Sequence, residues 1–270
     1  MNTFVKRTLS AAVFVAVMLG AIALGSWPFA ILFAAITAVC LHEYYHMASL
    51  MQSQPHSVWG IAGGAFLFAW AFAQSTSLIE LPLAYIAVPL VAVVFIVELF
   101  RAKAQPLHNI ATTITGWLYI AAPFAMLNFV VNTQNGYTHK YLMAMLFLVW
   151  GNDTGAYLLG MAIGRHKMFP RISPKKSWEG FAGGIIATAI VATTIWKIFG
   201  GTLQHWLALG AVACVFGVLG DLIESMLKRA AGVKDSGNIM PGHGGLLDRF
   251  DALLLVAPMG FICLKLLSLI

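Results

Sequence analysis

The chain has 270 residues, of which 60% are hydrophobic and only 10% are charged, and its mean hydropathy is +0.84. This composition excludes a soluble globular enzyme and indicates a protein of the lipid bilayer. The net charge of +6 could attract a nucleic acid, but the positive residues lie in alternate loops between apolar runs, as in a membrane topology. We therefore expect membrane lipids as partners and no nucleic acid.

Nine apolar runs follow one another along the chain, and a helix of roughly 20 such residues crosses a hydrocarbon core of about 30 Å. They predict an all-α, polytopic integral membrane protein with about nine transmembrane helices, forming a single membrane domain over residues 1–270. Its N-terminal spans would occupy about residues 1–140, and the C-terminal spans and loops that carry the candidate catalytic residues about 141–270. The runs lie at about residues 8–24, 28–48, 58–74, 82–100, 110–131, 140–164, 178–198, 203–224 and 252–269.

The distribution of positive charge predicts the orientation. If the N-terminus is cytoplasmic, only Lys140, Lys197 and Lys265 of the 16 Lys and Arg residues fall on the opposite side, as the positive-inside rule requires. We therefore expect a bacterial-type inner-membrane protein whose active site faces the cytoplasm. Lys6 and Arg7 before the first run could also belong to a cleaved signal peptide, whose removal would leave every later loop in place.

Acidic side chains occur where the membrane should exclude them, because a carboxylate at the centre of a span costs roughly 2.5–3.5 kcal/mol to insert. Asp221, Ser225 and Lys228 are spaced i, i+4 and i+7 and so share one helix face, with Glu224 beside them. A carboxylate, a hydroxyl and an ammonium group thus form one stripe at the cytoplasmic end of the eighth span.

Two more carboxylates, Asp248 and Asp251, open the last span at i and i+3. With Asp221 they predict a hard oxygen site for Mg²⁺ and not for zinc, since neither a thiolate nor a pair of imidazoles is near. The glycine-rich turn at residues 241–245 can bring backbone N–H groups close to a phosphate. Together these features indicate phosphoryl or nucleotidyl transfer. The positive field that a polyphosphate needs would come from Lys228, Arg229, Lys234 and Arg249.

The run from Ser225 to Asp251 is similar, nearly residue for residue, to the signature of the phosphatidate cytidylyltransferase family. The resemblance includes the motifs Asn152–Tyr157 and Ile172–Gly180 and covers about residues 150–258. It implies an enzyme of phospholipid biosynthesis that transfers the cytidylyl group of CTP to phosphatidic acid, giving CDP-diacylglycerol and pyrophosphate. It also implies Mg²⁺, a K⁺ ion beside it and a homodimer.

The resemblance and the residues themselves agree on the roles. We expect Asp221, Asp248 and Asp251 to hold the metal and, with Lys228 and Arg249, to be the catalytic residues. His243 is expected to contact the nucleotide or the loop rather than act as a base, because phosphatidate already presents an anionic oxygen. CTP and phosphatidic acid would bind to Ser225, Arg229, Lys234, Asp235, His243, Gly244, Gly245, Lys175, Lys176 and Asp153.

Three other functions are open on the sequence. His42-Glu43-Tyr44-Tyr45-His46 matches the H-E-x-x-H pattern of zinc proteases, but no third ligand is evident, and we expect a packing or interfacial role for it. A CTP-dependent lipid kinase of the polyprenol or phytol type would share the setting but transfer the γ-phosphate to an alcohol. A transporter could couple its buried acids to ions, although the chain has no evident inverted repeat.

Overall fold

The structure is a computed structural model that describes residues 3–240 and 244–270, with side chains from residue 8 onward. These residues are predominantly helical, as the sequence predicts. A π-helical turn, Trp117–Ala121, joins α5 to α6 in one continuous helix. The helices are α1 (Thr3–Leu24), α2 (Ser26–Leu50), α3 (Ser57–Ser75), α4 (Ala84–Arg101), α5 (Pro106–Gly116), α6 (Ala122–Val131), α7 (Lys140–Ile163), α8 (Trp178–Phe199), α9 (Leu203–Ala230) and α10 (Leu247–Leu266).

Within the described chain, seven helices are long and apolar enough to cross a bilayer, with Pro106–Val131 counted as one. The protein is therefore an integral membrane protein. The apolar part of α1 within Thr8–Leu24 is shorter, and α10 carries Asp248, Arg249, Asp251 and Lys265, more charge than a simple apolar span contains. A count of nine spans remains a prediction.

Contacts divide the described chain into two units. The first unit consists of the described residues of Met1–Tyr137 and of Ala230–Arg249, and the second of Thr138–Arg229 and Phe250–Ile270. The predicted division at about residue 140 between N-terminal spans and catalytic spans stays a prediction. The glycine-rich segment groups with the N-terminal helices. The single membrane domain predicted from sequence stays a prediction.

In the first unit, aromatic side chains pack directly against helix backbone at glycines. A Cβ atom at Gly60 or Gly116 would lie 2.5 Å from the ring or hydroxyl of Tyr45, so only glycine fits there. The Tyr45 hydroxyl donates a hydrogen bond to the carbonyl oxygen of Thr113 (2.8 Å), and the Trp117 indole donates one to the carbonyl oxygen of Gly60 (2.6 Å). These contacts fix α2, which carries Glu43.

In the second unit, α7 and α8 also approach closely through glycines. A Cβ atom at Gly155 would lie 2.5 Å from the carbonyl oxygen of Gly183, and one at Gly183 would lie 2.5 Å from that of Gly155. Small residues at a helix interface allow such backbone contact between membrane helices. The pair thereby places the two helices that flank the loop containing Lys175 and Lys176.

That loop is an antiparallel hairpin of β3 (Lys167–Phe169) and β4 (Ser173–Ser177). The hydroxyl of Ser177 caps α8 by accepting a hydrogen bond from the N–H of Gly180 (3.1 Å). Glu179 holds the start of the hairpin, because its Oε1 lies 2.6 Å from Nδ1 of His166. The sequence predicts a loop here but not its pairing. A second small hairpin joins β1 (Asn132–Thr133) to β2 (Gly136–Tyr137).

Candidate active site

Three carboxylates converge in the second unit, on α9 and α10. Asp221, Glu224 and Asp251 each offer one oxygen atom, and these atoms lie within 4.8 Å of one another. Glu224 is fully buried, whereas Asp221 and Asp251 are partly exposed. Oxygen donors grouped in this way suit a hard divalent cation. We call these three residues the acid cluster.

Gly220 allows the two helices to come close enough to form the acid cluster. A Cβ atom at this position would lie 2.5 Å from the carbonyl oxygen of Asp251 and 3.0 Å from the Cα atom of Ala252. Because backbone atoms cannot move aside as a flexible side chain can, any larger residue at position 220 would push α10 away from α9.

Two ammonium groups contact the acid cluster. The Nζ atom of Lys176 lies 2.6 Å from Oδ2 of Asp221 and donates a hydrogen bond to the carbonyl oxygen of Val218 (3.1 Å). Lys228 pairs with Glu224 one helical turn earlier. These cations offset the mutual repulsion of three carboxylates that lie so close together.

Ser225 completes this face of α9, as the i, i+4, i+7 spacing predicts. Its hydroxyl donates a hydrogen bond to Oδ1 of Asp221 (3.2 Å). Because α9 continues to Ala230, beyond the end of the apolar run, Asp221, Ser225 and Lys228 lie on one unbroken helix.

A cavity of about 310 Å³ opens beside Asp221, and we call it the polar cavity. Its wall includes Asp153 from α7 together with Lys175 and Lys176 from the β3–β4 hairpin. Four residues predicted from three separate motifs thus line one space. The cavity thus presents the two ammonium groups of Lys175 and Lys176 and the two carboxylates of Asp153 and Asp221.

In the first unit, the glycine-rich segment folds around the carboxylate of Asp248. Oδ2 of Asp248 accepts hydrogen bonds from the N–H of Ser236 (2.9 Å), the hydroxyl of Ser236 (3.0 Å) and the N–H of Gly245 (2.8 Å). Gly244 has a φ of +83°, a left-handed conformation that favours glycine. Asp248 therefore holds two parts of the segment together at the start of α10.

Glu43 of α2 holds the same segment from the other side. Its Oε1 accepts a hydrogen bond from the N–H of Leu246 (2.9 Å), and its Oε2 accepts bonds from the N–H of Leu247 (2.8 Å) and the hydroxyl of Ser236 (3.1 Å). The side chain is 3% exposed. A buried carboxylate facing the N–H groups that open α10 is stabilised by those donors and by the helix dipole. A Cβ atom at Gly245 would lie 2.6 Å from Oε2 of Glu43.

Five more residues are predicted to bind substrate or to act in catalysis. Four of them are exposed, namely Arg229, Lys234, Asp235 and Arg249. The fifth, His243, lies outside the described residues. The metal role predicted for Asp248 and the phosphate contacts predicted for Gly244 and Gly245 stay predictions. Oδ2 of Asp248 and the N–H of Gly245 bond to one another within the protein.

Sequence reasoning missed the roles of two acids. Glu224 is noted only as a neighbour of the predicted stripe, although its i+3 spacing from Asp221 puts both on one helix side. Glu43 lies inside the H-E-x-x-H pattern, where we expect packing or an interfacial role. Its burial agrees with that, but its partners are two backbone N–H groups and the Ser236 hydroxyl, all about 200 residues later, which no local pattern reveals. His42 and His46 are exposed. They flank Glu43, whose carboxylate accepts hydrogen bonds from Ser236, Leu246 and Leu247.

The fold and the acid cluster define a membrane-embedded protein with a group of carboxylates suited to a divalent cation. Residues 5–267 match the cytidylyltransferase family, and the chain belongs to that family. It is therefore a nucleotidyltransferase.

Individual relatives agree with the family. A phosphatidate cytidylyltransferase of Bacillus subtilis (strain 168) is 34% identical over 276 aligned residues, covering 97% of this chain and 98% of the relative. One from Staphylococcus aureus (strain COL) is 47% identical over 133 residues, covering 48% of this chain and 51% of the relative. One from Staphylococcus haemolyticus (strain JCSC1435) is 43% identical over 162 residues, covering 59% of this chain and 58% of the relative.

Proposed function

We propose that the protein transfers the cytidylyl group of CTP to phosphatidic acid, giving CDP-diacylglycerol and pyrophosphate. The observation that carries the proposal is the acid cluster with Lys176 and Lys228 in ion-pair contact with it, in a chain that matches the family from end to end. Carboxylates that hold a metal, flanked by ammonium groups, are what nucleotidyl transfer needs, because its catalysis consists mainly of positioning and charge neutralisation.

The acid cluster fits Mg²⁺, since its donors are carboxylate oxygens. Asp221, Glu224 and Asp251 would hold the ion, and Asp248 stays a predicted further ligand. When bound, Mg²⁺ would neutralise negative charge on the phosphates of the nucleotide. A K⁺ ion beside it is implied by the family resemblance only.

The reaction itself needs little proton transfer. An oxygen of the phosphatidate phosphate attacks the α-phosphorus of CTP, a new P–O bond forms, and the bond from the α-phosphorus to the bridging oxygen breaks. Pyrophosphate leaves with that electron pair. A phosphate monoester has a second pKa of about 6, so the attacking group is anionic at neutral pH and no strong base is required.

The protein's own residues bind and orient the two substrates. In our proposal Lys175 and Lys176 receive the phosphate of the lipid in the polar cavity, and Asp221 holds Lys176 in place for it. Lys228, which pairs with Glu224, would neutralise charge on the triphosphate and stabilise the departing pyrophosphate. The catalytic role of Arg249 stays a prediction from the sequence, based on a guanidinium group that can bind two phosphate oxygens at once.

The proposal also places the site in the cell. The positive loops, the β3–β4 hairpin among them, would face the cytoplasm, where CTP is available, and the membrane would be a bacterial-type inner (cell) membrane, since the relatives named above are bacterial. Phosphatidic acid would arrive laterally from the bilayer. A homodimer remains a prediction.

The test is an assay of purified protein in detergent with CTP, Mg²⁺ and phosphatidic acid. We expect CDP-diacylglycerol and pyrophosphate in equal amounts. Parallel reactions with diacylglycerol or a polyprenol in place of phosphatidic acid address the lipid kinase. Phosphorylation of either alcohol, with no product from phosphatidic acid, would contradict the proposal.

A further inference from the structure

An apolar groove of about 290 Å³ runs between α8 and α9 in the second unit. Its walls include Phe181, Ile185 and Ala189 on α8 and Leu207, Ala211 and Val215 on α9. The three residues on each helix are spaced four apart, so they lie on one face of that helix and line one wall of the groove. Thr188 and Cys214 also line the groove. The Thr188 hydroxyl already donates a hydrogen bond to the carbonyl oxygen of Gly184 (2.7 Å), and a thiol is only a weak hydrogen-bonding group. The groove is therefore apolar along its length.

The apolar groove lies next to the polar cavity. Phe181 lines both of them. On α9 the stripe that carries Val215 continues at Val218 and Asp221, which line the polar cavity. A ligand lying along this path would have a charged end beside Lys176 and an apolar end between two membrane helices.

The length of the path matches half a bilayer. From Phe181 to Ala192, the α8 residues at the two ends of the groove, the helix rises about 16 Å. Half of a hydrocarbon core of about 30 Å is about 15 Å, which is the depth one acyl chain occupies. The groove starts near the β3–β4 hairpin and descends along two helices that are each long enough to span a membrane.

We propose that the apolar groove binds one acyl chain of phosphatidic acid while the phosphate of the same molecule lies in the polar cavity. The inference rests on the proposed function. The charged end fits a lipid phosphate, because Lys175 and Lys176 line it and Asp221, which pairs with Lys176, belongs to the proposed metal site. A neutral lipid such as diacylglycerol has no phosphate for these ammonium groups to bind.

A second groove, also lined by α8, lies away from the polar cavity. It lies between α7 and α8, includes Ile190, Thr194 and Ile198, and has a volume of about 490 Å³. It shares no lining residue with the polar cavity. Lipid in that groove would have no route to the reacting groups, so it supplies a matched control.

The expected effect is moderate. A chain that leaves the bilayer for the groove is surrounded by hydrocarbon in both places, so it gains packing contacts but no hydrophobic driving force. Blocking the groove should therefore mainly disturb the position of the lipid phosphate. We expect the KM for a long-chain phosphatidate to rise roughly three- to tenfold, because only packing contacts that are individually weak would be lost.

The experiment compares Ala189→Phe and Ala211→Phe with Thr194→Phe. All three add an aromatic ring at an exposed position, the first two in the apolar groove and the third in the control groove. Activity is measured in mixed micelles with dioleoyl and with dioctanoyl phosphatidate, whose shorter chains leave the deep part of the groove empty. We expect the two groove variants to raise KM for the dioleoyl substrate only, with KM for CTP unchanged, and Thr194→Phe to match the wild type.

Two results would overturn the inference while the proposed function stands. One is an active wild type whose groove variants show equal losses, or none, with both chain lengths. The other is a change of oligomeric state in the groove variants without a chain-length effect, which would assign the groove to a second copy of the chain. A wild type that does not use phosphatidate at all would remove the proposed function first.

Discussion

The ammonium group of Lys176 lies 2.6 Å from Oδ2 of Asp221. The contact joins the β3–β4 hairpin to the acid cluster, two features separated by about 45 residues in the chain. Lys176, the second lysine of β4, therefore does more than add positive charge to a loop. One side of Lys176 contacts the acid cluster, and the other borders the polar cavity.

Replacing Lys176 by methionine should lower turnover by about a hundredfold, the usual effect of removing one charged group that stabilises a transition state. Methionine keeps the apolar stem of the side chain and removes only its charge. The measurement is steady-state CDP-diacylglycerol formation. Lys167→Met is the matched control, since Lys167 is exposed on the neighbouring strand, and it should behave like the wild type. Equal activity in both variants would remove Lys176 from the site.

Replacing Glu224 by glutamine should weaken binding of a divalent cation by at least about tenfold, because a neutral amide replaces one anionic donor. Binding of Mn²⁺, followed by electron paramagnetic resonance, reports this without any turnover. Glu98→Gln is the control, because Glu98 is also buried and pairs with Arg101 (3.1 Å). It should leave Mn²⁺ affinity unchanged. If Glu224→Gln also binds Mn²⁺ normally, the acid cluster is not the metal site.

Asp248→Asn tests whether the loop or the metal needs this carboxylate. The predicted metal role requires that turnover stays lost even at high Mg²⁺, since an amide holds the ion poorly and the other carboxylates repel one another. Mn²⁺ affinity should then fall in parallel. Loss of turnover with normal Mn²⁺ affinity would assign Asp248 to the folding of the glycine-rich segment alone, and near wild-type turnover would remove it from the site.

Glu43→Gln should destabilise the protein by about 1–3 kcal/mol and reduce turnover. The carboxylate of Glu43 accepts hydrogen bonds from the N–H groups of Leu246 and Leu247, and the NH₂ group of glutamine is itself a donor that cannot replace one of these acceptors. Thermal unfolding in detergent and the kinetic assay measure the two effects. His42→Ala and His46→Ala should be close to wild type in both, with no bound zinc in any of the proteins. Loss of bound zinc and of all activity in the histidine variants would instead revive the protease interpretation.

The helices were largely predictable from sequence. The apolar runs locate them, because a chain segment in lipid must form a helix to hydrogen-bond its own backbone N–H and C=O groups. The runs at 178–198 and 203–224, for example, correspond to α8 and to the first part of α9. The stripe of Asp221, Ser225 and Lys228 was also predictable, since it depends only on helical periodicity. The family resemblance identified both Lys176 and Asp221, but not that their side chains form an ion pair.

The remaining parts of the site depend on contacts between distant segments. Glu43 bonds to Leu247 about 200 residues away, and no periodicity within α2 encodes that pairing. The approach of Asp251 to Asp221 depends on Gly220, whose missing side chain becomes meaningful only once α10 is packed against it. Charge and spacing therefore identified the chemical groups, whereas close packing decided which of them meet.

The most direct test of the central claim is the fate of the phosphorus atoms of CTP. Purified protein is given Mg²⁺, phosphatidic acid and CTP labelled at either the α- or the γ-phosphorus, and the lipid product is extracted. Cytidylyl transfer predicts that the α label enters the lipid and that the γ label is recovered as pyrophosphate. Recovery of the γ label in the lipid, with the α label left in CDP, would contradict the account.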